Sequence, residues 1–174
     1  MTFDENMLSS LPSPFLAGVQ LKRLVQIGIV VADRDRTTKL LTTMFGIGPF
    51  RLVEWPDRPE AKYYYRGAEE HIRIKQAFVQ LGGVEVEIIQ PVEGHNDYQD
   101  FLDNTGGGIH HALFEVPDID SVIQELAKSG VTVLQSGTGI RPGTRWALMD
   151  TKKLLGFLVE LRHRPGESDG SSIS

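Results

Sequence analysis

The sequence predicts an α+β domain of two tandem βαβββ modules paired about a pseudo-twofold axis. An internal repeat carries this reading. Gln26–Asp35 aligns without gaps on His111–Asp120 at an offset of 85 residues, and Gly83–Ile88 aligns on Gly156–Leu161 at an offset of 73, so the second copy is 12 residues shorter. In each copy an apolar strand pattern leads into an Asp-initiated helix that a glycine ends. One such unit exposes an apolar sheet face that it cannot bury alone, so two copies pair and leave a concave surface between them. Gln26 then matches His111, and Glu87 matches Glu160.

The elements follow in order. Residues 1–22 form a Ser/Pro-containing lead segment whose Phe15 and Leu16 are expected to dock on the domain. The first module, 23–105 with its connector, opens with a β-rich run from Leu24 to Val31. Asp33 or Asp35 caps a helix over Thr37 to Phe45, which stops at Gly46. Phe50 to Glu54, Lys62 to Arg66, Arg73 to Leu81 and Val84 to Gln90 read as strands, punctuated by Pro56, Pro59, Gly67 and Gly82-Gly83. A short helix through Tyr98–Leu102 fits the connector, and Gly106-Gly107-Gly108 marks the junction. The second module, 106–163, repeats the order: strand Gly108 to Val116, helix Asp118 to Lys128, stop at Gly130, then strands Val131 to Leu134, Trp146 to Met149 and Gly156 to Arg162. Residues 164–174 turn to Pro, Gly, Ser and acidic side chains and read as a flexible tail.

Composition narrows the function. A net charge of −5 offers no basic face for a phosphate backbone, so a small-molecule partner is expected rather than nucleic acid. The absence of cysteine removes disulfides, thiolate metal sites and cysteine nucleophiles, and fits a reducing compartment. An acidic start and the lack of a long apolar run predict neither a secretory signal nor a membrane span, hence a cytoplasmic protein.

Four stretches, Gln26–Val31, Gly82–Pro91, Gly108–Val116 and Gly156–Leu161, resemble the vicinal oxygen chelate superfamily of glyoxalases, bleomycin-resistance proteins and extradiol dioxygenases. The nearest likeness is to its methylmalonyl-CoA epimerase and glyoxalase I-like members. The resemblance spans about Arg23 to Arg162 and implies a concave half-barrel around a metal site, often in a homodimer. It places the metal ligands on Gln26, Glu87, His111 and Glu160. These would hold one divalent ion per chain, with Zn, Co, Ni, Mn and Mg all suited to a mixed N/O set. Strand alternation puts Glu85 and Glu87 on one face and sends His110 and His111 to opposite faces, with His111 inward and His110 packed or solvated. Many relatives have His at the position of Gln26. Its replacement by an amide disfavours an extradiol iron site, which needs two His and one carboxylate, and favours redox-neutral chemistry.

The implied reaction is enolate stabilisation on a carbonyl or acyl-CoA-like substrate, giving an epimerase, isomerase or lyase. Glu160 is the first candidate base, with Glu87 as its symmetry mate. Glu60 resembles a Pro-Glu segment of the epimerases, the other reading being an exposed loop charge. Tyr63 and Tyr65 share one strand face, set either to meet a substrate ring or oxygen or to cover the sheet's outer face. Arg141, Arg145 and Trp146, in a glycine-rich loop, are candidates for closing over the site or holding an anionic group. His71, His95 and His163 read as surface residues. Two alternatives stand beside the epimerase reading: a non-catalytic binding protein on the same fold, and a glutathione-dependent lactoylglutathione lyase.

Overall fold

The computed structural model describes residues 19–56 and 58–166. The expectations for Phe15, Leu16 and the tail beyond Gly166 lie outside the described residues. The chain runs β1 (Leu24–Val30), α1 (Arg34–Phe45), β2 (Arg51–Trp55), β3 (Tyr63–Tyr65), β4 (Ala68–Glu69), β5 (Arg73–Leu81), β6 (Val84–Glu93) and α2 (Asp97–Thr105). It continues through β7 (Gly108–Glu115), α3 (Ile119–Lys128), β8 (Val133–Thr138), β9 (Arg145–Met149), α4 (Lys152–Leu155) and β10 (Leu158–His163).

The helices begin and end where local chemistry dictates. Asp33, extended at φ −144°, accepts from the Arg36 amide at the start of α1, and Gly46 in the left-handed region at φ 68° closes it. Asp118 plays the same part for α3, accepting from the Asp120 and Ser121 amides. The fully buried Asn96 caps α2.

All ten strands join one mixed sheet in the order β2-β5-β6-β1-β7-β10-β9-β8-β3-β4, curled into a half-barrel. Its registers obey the repeat. β6 lies parallel to β1 with Gln26 opposite Glu85 and Gly28 opposite Glu87. β10 lies parallel to β7 with His111 opposite Leu158 and Leu113 opposite Glu160. Adding 85 to the β1 numbers and 73 to the β6 numbers turns the first pairing into the second. The pseudo-twofold relation therefore sits between the antiparallel strands β1 and β7.

Two devices depart from that symmetry. The β3–β4 tyrosine hairpin lies in sequence between β2 and β5, yet it extends the far edge, with Tyr63 opposite Gly137 and Tyr65 opposite Gln135 on β8. In β7 the register to β1 jumps from Gly28–His111 to Ile29–Ile109, a bulge that leaves His110 without an opposite residue. Two apolar clusters hold the layers. Ile89 and Leu158, on the strand faces of Glu87 and Glu160, pack with Trp55, Tyr63, Tyr65 and Tyr98. Val159 and Leu161 point the other way and pack under Ile119 and Leu126 of α3.

Candidate metal centre and cavity

β1, β6, β7 and β10 are neighbours, so their matched positions converge at the middle of the sheet. Gln26, Glu87, His111 and Glu160 are all buried, with 3%, 6%, 0% and 6% of their surface exposed, and glutamates are seldom buried so far. The His111 ring occupies the space over Gly28: a β-carbon at that position would lie inside the ring's contact distance. Gly28 thus makes room for the imidazole at the crossing of the two halves.

His111 Nε2 lies 3.1 Å from a Glu160 oxygen and 3.9 Å from a Glu87 oxygen. Neither is in line for a hydrogen bond, and the buried nitrogen has no hydrogen-bond partner. Burial, with the neighbouring His110 and Arg162 adding to it, holds His111 well below the ordinary imidazole range. This favours the neutral ring. Burial raises Glu87 to about 7, with the Gln76 hydrogen bond opposing the rise and Glu85 adding to it. Burial and then the Glu87 charge raise Glu160 to about 8, against the pull of Arg162. Two carboxylates that resist ionisation beside a bare imidazole nitrogen make a place where positive charge is wanted.

The chemistry of this donor set fits a divalent cation: one imidazole nitrogen, two carboxylates and an amide oxygen. Gln26 donates its amide N–H to Glu85 at 2.8 Å, which leaves its carbonyl oxygen as the free acceptor. Glu87 meanwhile accepts from Gln76. Among the described residues no three His, Asp or Glu side chains stand gathered as a finished cage.

The site opens into a cavity of about 440 Å³, lined on one side by Gln26, Glu85, Glu87 and Glu160 and elsewhere by Trp55, Tyr63, Phe78, Tyr98 and Trp146. Arg51, Arg141, Arg162 and Arg164 also line it. The Arg51 guanidinium lies 4.3 Å above the Phe78 ring, and Arg162 pairs with Glu115 at 3.0 Å.

Known proteins share this arrangement of strands. Residues 25–147 match the family model of the Glyoxalase/Bleomycin resistance protein/Dioxygenase superfamily. The chain belongs to that superfamily. The mitochondrial methylmalonyl-CoA epimerase of Bos taurus is 30% identical over 147 residues, covering 72% of this chain and 83% of the relative. The uncharacterised protein YqjC of Bacillus subtilis is 26% identical, covering 84% and 96%. A methylmalonyl-CoA epimerase solved with methylmalonyl-CoA and NH4+ superposes with a TM-score of 0.61 at 24% identity, covering 84% of this chain and 97% of that one. The Mycobacterium tuberculosis epimerase gives 0.60 at 24% identity, covering 85% and 91%. These likenesses to solved structures establish the superfamily fold.

Within this superfamily fold, the remaining candidates divide. Tyr63, Arg141 and Trp146 line the cavity. Tyr63 donates its hydroxyl to Gln135, and burial raises its phenol well above the ordinary range. Tyr65 shares that strand face but misses the cavity, because its hydroxyl turns to Asp100 at 2.7 Å and its ring meets His95 edge-on. Arg145 lies outside as well. Both its terminal nitrogens grip Asp120, at 2.7 and 2.8 Å, in the first turn of α3. Glu60 is an exposed loop charge, 3.6 Å from Arg58 and 73% accessible. His71 and His95 are exposed as expected, whereas His163 is half-buried.

The expectation that His110 points away from His111 is corrected by the β7 bulge. With the alternation broken, the two rings meet at 3.0 Å between their Nδ1 atoms. Sequence reasoning also missed Tyr98, a buried phenol on α2 that lines the cavity, where burial and the Glu160 and Glu87 charges raise it well above the ordinary range. The Asn96-Asp97 pair that starts α2 was the available signal, since an Asn N-cap fixes where the next turn points.

Proposed function

We propose that this chain is a divalent-metal-dependent epimerase or isomerase that works through an enolate of an acyl-CoA-like carbonyl substrate. The observation that carries the reading is the pair Glu87 and Glu160: repeat mates, both buried, with carboxylate oxygens 3.9 and 3.1 Å from the bare His111 Nε2. Gln26, Glu87, His111 and Glu160 would hold the ion. When bound, it supplies stabilisation of the negative charge that develops on a substrate oxygen as the adjacent carbon loses its proton.

The rest falls to the protein. Epimerisation removes a proton from one face of a carbon and returns one to the other, so it needs two bases facing each other across the substrate. Two carboxylates related by a pseudo-twofold axis are such a pair, and without metal, burial lifts both above the ordinary carboxylate range. Glu160 is the first base and Glu87 its counterpart. Tyr98, kept neutral by burial, is a donor for the substrate oxygen. The aromatic walls exclude water, and the cavity arginines suit an anionic substrate, as a carboxylated acyl-CoA is. The epimerase names among the relatives support the same class.

The test has two parts. Metal per chain is measured by plasma mass spectrometry on tag-free protein, alongside His111→Ala. Deuterium exchange at the α-carbon of methylmalonyl-CoA is then followed in D2O. We expect close to one divalent ion in the wild type and none in the variant, with exchange slowed by about 10²- to 10⁴-fold in Glu160→Gln. A protein that takes up no metal, or exchange that survives Glu160→Gln, would overturn the proposal. Retained acyl-CoA affinity without metal would identify a binding protein on the same fold.

A further inference from the structure

We infer that Asp97 and His110 are positioning residues that lock His111 in the tautomer whose bare Nε2 lies beside Glu160. The inference rests on the reading of His111 as a metal ligand for its purpose, though not for its geometry.

Three groups stand in line. Asp97 Oδ2 is 2.9 Å from His110 Nε2, and His110 Nδ1 is 3.0 Å from His111 Nδ1. His110 is 1% exposed and His111 0%, so solvent does not reach either ring. The His110 ring is held on both sides by α2, with Tyr98 at 5.1 Å and Phe101 edge-on at 4.9 Å. Asp97 is held as well: it opens α2 just after the Asn96 cap, and its amide donates to Gln135 Oε1 on β8 at 3.2 Å.

The hydrogens follow from the donor and acceptor inventory. A carboxylate only accepts, so His110 Nε2 carries a proton and donates it to Asp97. Only one proton fits between two ring nitrogens 3.0 Å apart. If it belonged to His110, that ring would be a buried imidazolium and His111 would carry its own proton on Nε2, an N–H buried with no acceptor in line. It therefore sits on His111 Nδ1 and is donated to His110. Nε2 is left as a lone pair with a Glu160 oxygen 3.1 Å away, a donor set that suits a cation. This is the role that carboxylate partners play behind metal-binding histidines, here passed through a second imidazole.

The test reads the tautomer without metal. Long-range ¹H–¹⁵N spectra of metal-free, histidine-labelled wild type should show His111 protonated on Nδ1 and His110 on Nε2; the reverse assignment at His111 would overturn the inference. Asp97→Asn and His110→Phe, with circular dichroism confirming the fold, should lose that single pattern and weaken Co²⁺ binding, read by absorbance titration, by about 10- to 100-fold. Wild-type affinity in both folded variants would also overturn it. Absence of Co²⁺ binding by the wild type, with the tautomer pattern intact, would instead remove the metal-dependent function and leave the lock standing.

Discussion

Stripped of metal, the protein should lose stability as pH rises from about 6.5 to about 8.5, and Glu87→Gln with Glu160→Gln together should abolish the loss. In the unfolded chain both glutamates ionise near their ordinary 4.5, whereas in the fold they hold protons up to about 7 and about 8. A raised pKa means that the folded state binds more protons than the unfolded one across this window. The stability they confer is therefore complete below 4.5 and lost as pH climbs through the folded values. At about pH 6.5 the two groups together contribute about 3 kcal/mol, and at about pH 8.5 almost nothing, taking about 1.4 kcal/mol per pH unit. The lower bound is chosen because His111, lowered below its ordinary 6.5, drives the opposite trend in more acid solution: there the unfolded chain takes a proton that the folded ring refuses. Urea unfolding of chelator-treated protein, followed by Trp55 and Trp146 fluorescence, measures both proteins at each pH. The difference between wild type and double variant removes the titrating groups that do not couple to the pair. If it stays constant across the window, or changes in the variant's disfavour as pH rises, the two carboxylates are not held protonated by burial and the account of the site fails.

Three further outcomes follow from local geometry. Gly28→Ala drives a methyl group into the His111 ring, so Co²⁺ affinity should fall at least about tenfold and stability by about 1–3 kcal/mol, measured by titration and thermal melting. Arg58 donates to the Ile140 and Gly139 carbonyls at 2.7 and 2.6 Å and so ties down the loop over the cavity. In Arg58→Ala, hydrogen exchange over residues 139–144 should rise at least about tenfold while strands β6 and β10 keep their protection. Thr151 is buried and uses one hydroxyl to accept from Val159 N and donate to the Phe157 carbonyl, both at 2.9 Å, so Thr151→Val should cost about 1–3 kcal/mol in urea unfolding.

The gathering of Gln26, Glu87, His111 and Glu160 was legible in the sequence because each sits in a paired strand. Once Gln26 aligns on His111 and Glu87 on Glu160, a parallel β1–β6 pair and a parallel β7–β10 pair bring all four together, as the registers show. Pairing geometry hid the rest. Alternation is a rule for regular strands, and the β7 bulge that turns His110 toward His111 depends on how many residues face it on β1. The tyrosine hairpin was placed by an edge formed about 70 residues later, since Tyr63 meets Gly137 and Tyr64 meets Ser136. No local pattern in 63–65 names that partner. Arg145 was drawn toward the site by its loop, but an acidic residue in the first turn of α3 captured it.

The way the repeat fails at one position explains the relay. For a side chain to present a bare acceptor to a cation, its own N–H must be occupied elsewhere. In the first half Gln26 gives its N–H to Glu85, the residue directly opposite on β6. The corresponding residue opposite His111 on β10 is Leu158, which accepts nothing. The second half therefore has no partner within the sheet for the His111 N–H, and the bulge supplies one by swinging His110 inward to take it. His110 then needs an acceptor of its own, and Asp97 arrives from α2, a helix in the connector between the halves that lies outside the aligned repeat. The structure reaches the same end by two routes: an amide oxygen freed by a strand neighbour, and an imidazole nitrogen freed by a bulge and a helix. Convergence of that kind is hard to account for if Gln26 and His111 merely fill a core, because a core would gain from satisfying the buried His111 nitrogen rather than leaving it without a donor.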